Sequence, residues 1–163
     1  MSAATAELES VLEQLIAEHE RLLRHLDMQQ AAMKKLDLKQ LQEHTAAQEA
    51  VRARIAALET RRRFMVAQMA RAMGLTGQPG IAAVASALPD ARQRLLALRE
   101  RIRELASQAA ARAHVVARVA GAVLGHLNNA MRVLAGAIQQ PGLYTRSGVP
   151  RMAQRIGVME AVG

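Results

Sequence analysis

The sequence predicts an all-α protein: an elongated antiparallel helical hairpin or coiled coil, a long third helix packing along it, a short helix in the connection and a flexible C-terminal tail. Apolar residues recur at steps of three and four over long stretches, which is the spacing of one face of a helix. Hydrophobic residues make up 51% of the chain and aromatic residues only 1%. A core of Leu, Val, Ile, Met and Ala suits helix-on-helix packing and gives little for a β-sandwich or a barrel.

The first predicted helix covers residues 5 to about 33. One stripe of apolar side chains follows its length: Leu8, Leu12, Leu15, Leu22, Leu26 and Met33. His19 lies on the same stripe. Because the chain has no cysteine, no HExxH motif and no second histidine at metal-ligand spacing, we interpret His19 as a structural residue rather than a metal ligand.

A short join separates the first two helices. Lys34 and Lys35 suit a helix C-terminus, where cations meet the negative end of the helix dipole. Asp37, with Gln40 three residues later, is typical of an N-cap and capping box for a second helix. A connection of this length forms either an antiparallel hairpin or one kinked rod. The hairpin is favoured because the two apolar stripes are of similar length and can bury each other.

The second predicted helix covers residues 38–73. Its apolar stripe consists of Leu41, Val51, Ile55, Leu58, Met65 and Met69. Gly74 is expected at the C′ position, and residues 76–80 are rich in glycine and proline, which break helices. Residues 81–88 are long enough for one or two helical turns. Pro89 and Asp90 are expected to end this short helix and to cap the next one.

The last predicted helix covers residues 91–139 and changes character along its length. Its first part, through Arg112, is rich in Arg and Glu, whereas between Ala113 and Ile138 the only formal charges are Arg118 and Arg132. The apolar sector of this second part is about 200° wide, while a helix on a single neighbour needs about 100°. That sector includes Val116, Val119, Val123, Leu127, Met131, Leu134 and Ile138. Either this part of the helix packs between two other elements of the fold, or part of its apolar face binds another molecule.

The net charge of +8 raises the question of nucleic-acid binding. Residues 1–33 are acidic, and the bases lie in the two following segments. Opposite charges on the first two helices favour their antiparallel pairing. The densest basic cluster, residues 61–63, has no aromatic platform that could stack bases. We therefore interpret the basic charge as a solvated helix surface, with phosphate binding as the alternative.

Other function classes find little support. No Gly-rich phosphate loop, activated nucleophile or paired carboxylate in a structural context points to an enzyme, and no cofactor or metal is expected. The chain has no cysteine for disulfides, no signal-peptide pattern at its start and no run of eighteen apolar residues. We therefore expect a cytoplasmic protein without membrane insertion. Residues 1–140 are expected to form one helical domain, and residues 141–163 a flexible tail.

In the order of these helices and turns, the sequence resembles the FlgN family of flagellar export chaperones. The similar features are a Leu-rich, acidic first helix, the turn at residues 35–38, a second helix closing on residues 73–75 and a long last helix. After them, residues 144–148 resemble the Tyr-x-x-x-Gly segment often found near the C-terminus of the family. The resemblance covers most of the chain.

The resemblance implies a non-enzymatic, cytoplasmic chaperone. Such a protein would bind the amphipathic terminal helices of hook-associated (hook–filament junction) proteins and deliver them to the flagellar export gate. The wide apolar face from Val116 to Ile138 is then the expected client-binding surface, since a groove or stripe of this composition accepts an amphipathic helix. Tyr144 is the expected export-gate contact, or an anchor for the tail. A structural coiled-coil adaptor, with a homodimer formed through the heptads, is the alternative, and nucleic acid is not an expected partner.

Overall fold

The computed structural model of the protein describes residues 3–77 and 79–139. This part of the chain is all-α, as predicted, with α1 at Ala3–Lys35, α2 at Leu38–Ala72, α3 at Ile81–Ser86 and α4 at Pro89–Gln139. The chain divides into two compact units, residues 1–120 and 121–163. The tail predicted at residues 141–163, with Tyr144, lies outside the described residues, so its flexibility stays a prediction.

Helices α1 and α2 form the antiparallel hairpin that the sequence favoured over a kinked rod. Arg61 Nη2 lies 2.6 Å from Glu7 Oε1, near the start of α1 and the end of α2. Near the opposite ends, Gln29 Nε2 donates to Thr45 Oγ1 at 3.0 Å. As residue numbers rise along α1, the numbers of their partners on α2 fall, so the two helices are antiparallel. The two stripes bury each other, as their matched lengths indicated.

The turn between α1 and α2 depends on two local motifs. Asp37 accepts a hydrogen bond from the backbone N–H of Gln40 at 3.1 Å, so the predicted N-cap is confirmed. The N–H of Asp37 donates to the carbonyl oxygen of Ala32 at 3.0 Å, which closes α1 in the Schellman pattern. Because this N–H is already bonded, Gln40 cannot complete the reciprocal half of a capping box. Leu36 takes the left-handed conformation, with φ of 55°, which costs a non-glycine residue about 1–2 kcal/mol.

The end of α2 uses glycine at the equivalent position, as predicted. Gly74 has φ of 69°, and the N–H of Leu75 donates to the carbonyl oxygen of Ala70 at 2.9 Å.

The expected cap at Asp90 is wrong, since α4 already begins at Pro89 and Asp90 lies within its first turn. Proline is favoured at a first helical position because the missing N–H would have no partner there.

Helix α4 runs parallel to α1 within the first unit. Three arginines of α4 meet acids of α1 in the same numerical order, with N–O distances of 3.0 to 3.2 Å: Arg94 with Glu13, Arg101 with Glu20 and Arg112 with Asp27. Arg94 also approaches the buried carboxylate of Glu9 at 3.3 Å. Since α2 is antiparallel to α1, it is antiparallel to α4 as well.

Two apolar clusters form the core of the first unit. The larger one gathers side chains from all four helices: Leu8, Val11, Leu12, Leu15, Met65, Val66, Met69, Ala70, Ile81, Val84, Ala85, Ala91 and Leu95. The smaller one joins α1, α2 and α4 through Leu22, Leu26, Val51, Ala109 and Val116. The predicted stripes of α1 and α2 supply many of these residues, so the hydrophobic spacing identified the buried face correctly. His19 is also buried, and its Nδ1 lies 2.8 Å from the carbonyl oxygen of Leu15.

Candidate functional site

The last part of α4 carries large apolar side chains that are exposed. Leu127, Met131 and Leu134 are 51%, 69% and 63% exposed. Their spacing of four and three residues places all three on one face of the helix. Asn128 and Arg132 are also exposed and lie toward the other side of the same helix. Val133 is also 66% exposed but lies outside this face. An exposed apolar face of this kind is typical of an interaction surface.

The seven residues predicted to bind a client do not share one environment. Val116 is only 7% exposed and belongs to the smaller core cluster. Val119 and Val123 are half-buried, and Leu127, Met131 and Leu134 are exposed. The side chain of Ile138 lies outside the described residues, as does the whole of Tyr144.

Leu124 is an exposed apolar residue that the predicted set did not include. It is 60% exposed and lies seven residues before Met131, so the two side chains project from nearly the same angle of the helix. The same three-and-four spacing could have identified it. We refer to Val123, Leu124, Leu127, Met131 and Leu134 together as the α4 apolar face.

The composition of the α4 apolar face favours a helical ligand. From Val123 to Leu134 it extends about 17 Å, or three turns. Burial of a Leu or Met side chain stabilises a complex by about 1.5–3 kcal/mol when it is complete. Met131 also adapts its shape to different partners because its side chain is unbranched and flexible. A surface with these properties could accept the apolar stripe of an amphipathic helix.

A histidine pair lies between α1 and α2, outside this face. The ring centroids of His25 and His44 are 5.7 Å apart, and Nδ1 of His25 is buried without a hydrogen-bond partner. Burial lowers the pKa of His25, and the nearby His44, Arg24 and Arg54 lower it further. The neutral form of His25 is therefore the one that the fold favours.

This pair predicts that the protein loses stability on mild acidification. The unfolded chain binds a proton at His25 below about pH 6.5, whereas the folded protein resists that proton until a lower pH. The contribution of neutral His25 to stability is therefore fully present above about pH 6.5. It decreases as the pH falls from there toward the lower pKa of His25 in the folded protein. We expect the melting temperature to be lower at pH 5.5 than at pH 7.5, and the decrease to be smaller in His25→Gln. The control is His126→Gln, which alters an exposed histidine of α4; an equal decrease in all three proteins would contradict the role of His25.

Neither a metal centre nor a membrane span is found in the part of the chain that the structure describes. Over residues 3–77 and 79–139, no three His, Asp or Glu side chains come together as metal ligands would. None of the helices described there is both long and apolar enough to cross a membrane.

Comparison with known proteins identifies the family. A family model described as FlgN protein matches residues 1–151 of the 163-residue chain. No match is found among the curated proteins or among the solved structures. The matched region contains the helical hairpin, α3, all of α4 and the segment around Tyr144. The chain therefore belongs to the FlgN family, a family of flagellar export chaperones.

Proposed function

We propose that this protein is a cytoplasmic chaperone for hook-associated (hook–filament junction) proteins and delivers them to the export gate of the flagellar type III apparatus. The observation that carries the proposal is the α4 apolar face, where Leu127, Met131 and Leu134 are more than half exposed. A family of export chaperones needs a surface that holds a client, and this face has the size and composition to hold one helix.

The client segment would be an amphipathic terminal helix. Its apolar stripe would lie along the α4 apolar face, with its polar side toward solvent. In an assembled polymer, the apolar stripe of such a helix would pack against neighbouring subunits. A chaperone that covers the stripe therefore keeps the client unassembled, because one apolar surface cannot serve two partners at once.

The structure changes one part of the sequence-based prediction and leaves another as it was. Val116 packs in the core of the first unit, so the proposed client surface begins at Val123. Tyr144 is kept as the proposed contact with the export gate, and this assignment depends on the family resemblance alone.

Complex formation with a client tests the proposal directly. The purified protein is mixed with a hook-associated protein of the same organism, and with the same protein lacking its terminal helices. We expect light scattering after size exclusion to show a complex with the intact client only, and we expect that complex to resist polymerisation. If the protein does not bind the client, or forms only a homodimer, the result would support the alternative function as a coiled-coil adaptor.

A further inference from the structure

Five arginines of α4 lie in two different environments within the first unit. Those toward α1 meet carboxylates: Arg94, Arg101 and Arg112 each form an ion pair with an acid of that helix. Arg99 and Arg103 instead line a cavity of about 320 Å³ beside α2. Neither of these two guanidinium groups forms an ion pair with any residue that the structure describes. Among the residues that the structure describes, α4 therefore forms ion pairs with α1 and none with α2.

A second cavity continues along the same two helices. Its volume is about 340 Å³, and Arg52, Ile55 and Ala56 of α2 line it opposite α4. His19, Leu22 and Leu26 of α1 complete the lining. The α4 side consists of small residues only: Ala106, Ala109, Ala110 and Ala113. Because α2 and α4 are antiparallel, the two cavities follow each other along one seam. We call this seam, lined on α2 by residues 52–62 and on α4 by residues 99–113, the α2–α4 groove.

The charge of the α2–α4 groove is unbalanced. Its one acidic lining residue, Glu59, is already bonded to Arg62, whose Nη2 and Nε lie 2.7 and 3.0 Å from the same carboxylate oxygen. Arg52, Arg99 and Arg103 have no carboxylate partner among the described residues. Like charges close together on a folded surface repel each other. The arrangement leaves three free cations around an apolar floor, which an anionic ligand would neutralise.

We propose that the α2–α4 groove binds an acidic amphipathic helix of a partner protein. The apolar edge of that helix would lie on Ile55 and on the alanines of α4. Its carboxylates would meet Arg52 on one rim and Arg99 and Arg103 on the other. Arg99 and Arg103 are one turn apart, so acids three or four residues apart on the partner match them. The distance from Arg99 to Ala113 is about 21 Å, which corresponds to a helix of about 14 residues.

Two other occupants fit the groove less well. The chain's own residues 140–163 contain Arg146, Arg151 and Arg155 against the single acid Glu160, so their charge has the same sign as that of the groove. A nucleic acid would gain phosphate contacts, but the lining contains no Phe, Tyr or Trp on which bases could stack, and its one imidazole, His19, is buried. An apolar floor between cationic rims matches a protein helix better.

A designed peptide tests this proposal on the full chain. The probe is a fluorescent helical peptide of about 14 residues, with an Ala/Leu face flanked by pairs of Glu four residues apart. We expect it to bind, with an affinity that decreases as salt rises above about 0.15 M. We expect the variant R52Q/R99Q/R103Q to bind it at least about tenfold more weakly. The charge-matched control R24Q/R118Q/R132Q should lose less than about twofold, because it removes three exposed arginines outside the groove that form no ion pair with any described residue.

Several outcomes would overturn the proposal. They are failure of the peptide to bind, equal losses in the two triple variants, and equal binding of a peptide with Lys in place of Glu. Tighter binding of a thymidine oligonucleotide, lost in the same variant, would assign the groove to nucleic acid. The melting temperature of R52Q/R99Q/R103Q should not fall, because no ion pair is removed; a large fall would make these arginines structural. Peptide binding should survive Leu127→Glu/Leu134→Glu, which separates this proposal from the client proposal.

Discussion

Replacing Leu95 by alanine is expected to lower the free energy of unfolding by about 2–5 kcal/mol. The side chain of Leu95 is fully buried, in the cluster where α4 meets Leu8 and Leu12 of α1 and Val84 of α3. Its truncation removes apolar contacts and leaves a cavity that the surrounding helices fill only in part. Urea denaturation followed by circular dichroism at 222 nm measures the change.

The matched control is Leu134→Ala, the same substitution on the same helix. Leu134 is 63% exposed, so this change should cost less than about 0.5 kcal/mol. A loss similar to that of Leu95→Ala would mean that the C-terminal part of α4 packs inside the folded protein. It would then count against the α4 apolar face as a surface for a partner.

The double variant Leu127→Glu/Leu134→Glu is expected to weaken client binding by about 100-fold or more. Two charges on the α4 apolar face would have to be desolvated when the apolar stripe of the client covers them, which is costly without a partner charge. Glutamate is a strong helix former, so the helicity of α4 should persist. Isothermal titration with the terminal segment of a hook-associated protein measures the loss.

The same helix offers a control for added charge. Asn128→Glu/Asn129→Glu adds two carboxylates to exposed positions outside the α4 apolar face, and client binding should remain within about twofold of the unchanged protein. Equal losses in both variants would show a general effect of charge. Loss of the folded state in Leu127→Glu/Leu134→Glu alone would assign the face to the core.

Local features were the most predictable from the sequence. The N-cap at Asp37 and the left-handed glycine at Gly74 both depend on residues within one or two turns, so the sequence contains the whole interaction. Leu36 was not foreseen, because a leucine with positive φ is unfavourable by itself. It is held there by the hydrogen bonds that close α1 and by the immediate start of α2.

The sequence predicted which kinds of residue form the candidate site, but not how far along α4 the site extends. The three-and-four spacing placed Val116 and Leu127 on one face of α4, and nothing in that spacing separates them. The structure buries Val116 against Leu22 and Leu26 of α1 and exposes Leu127. Arg112 lies opposite Asp27, and α1 ends at Lys35, so α1 accompanies α4 for only about two more turns.

The sequence by itself determined the helices, the caps at Asp37 and Gly74, the buried stripes of α1 and α2 and the resemblance to the family, because periodicity and capping are properties of neighbouring residues. Only the tertiary structure decided which arginines are paired. Arg101 and Arg103 are alike in the sequence, two residues apart on one helix. The first turns toward Glu20 of α1, and the second lines the α2–α4 groove without a carboxylate. The difference arises because a helix turns by about 100° per residue, so residues two apart face different neighbours, and those neighbours are set by the fold.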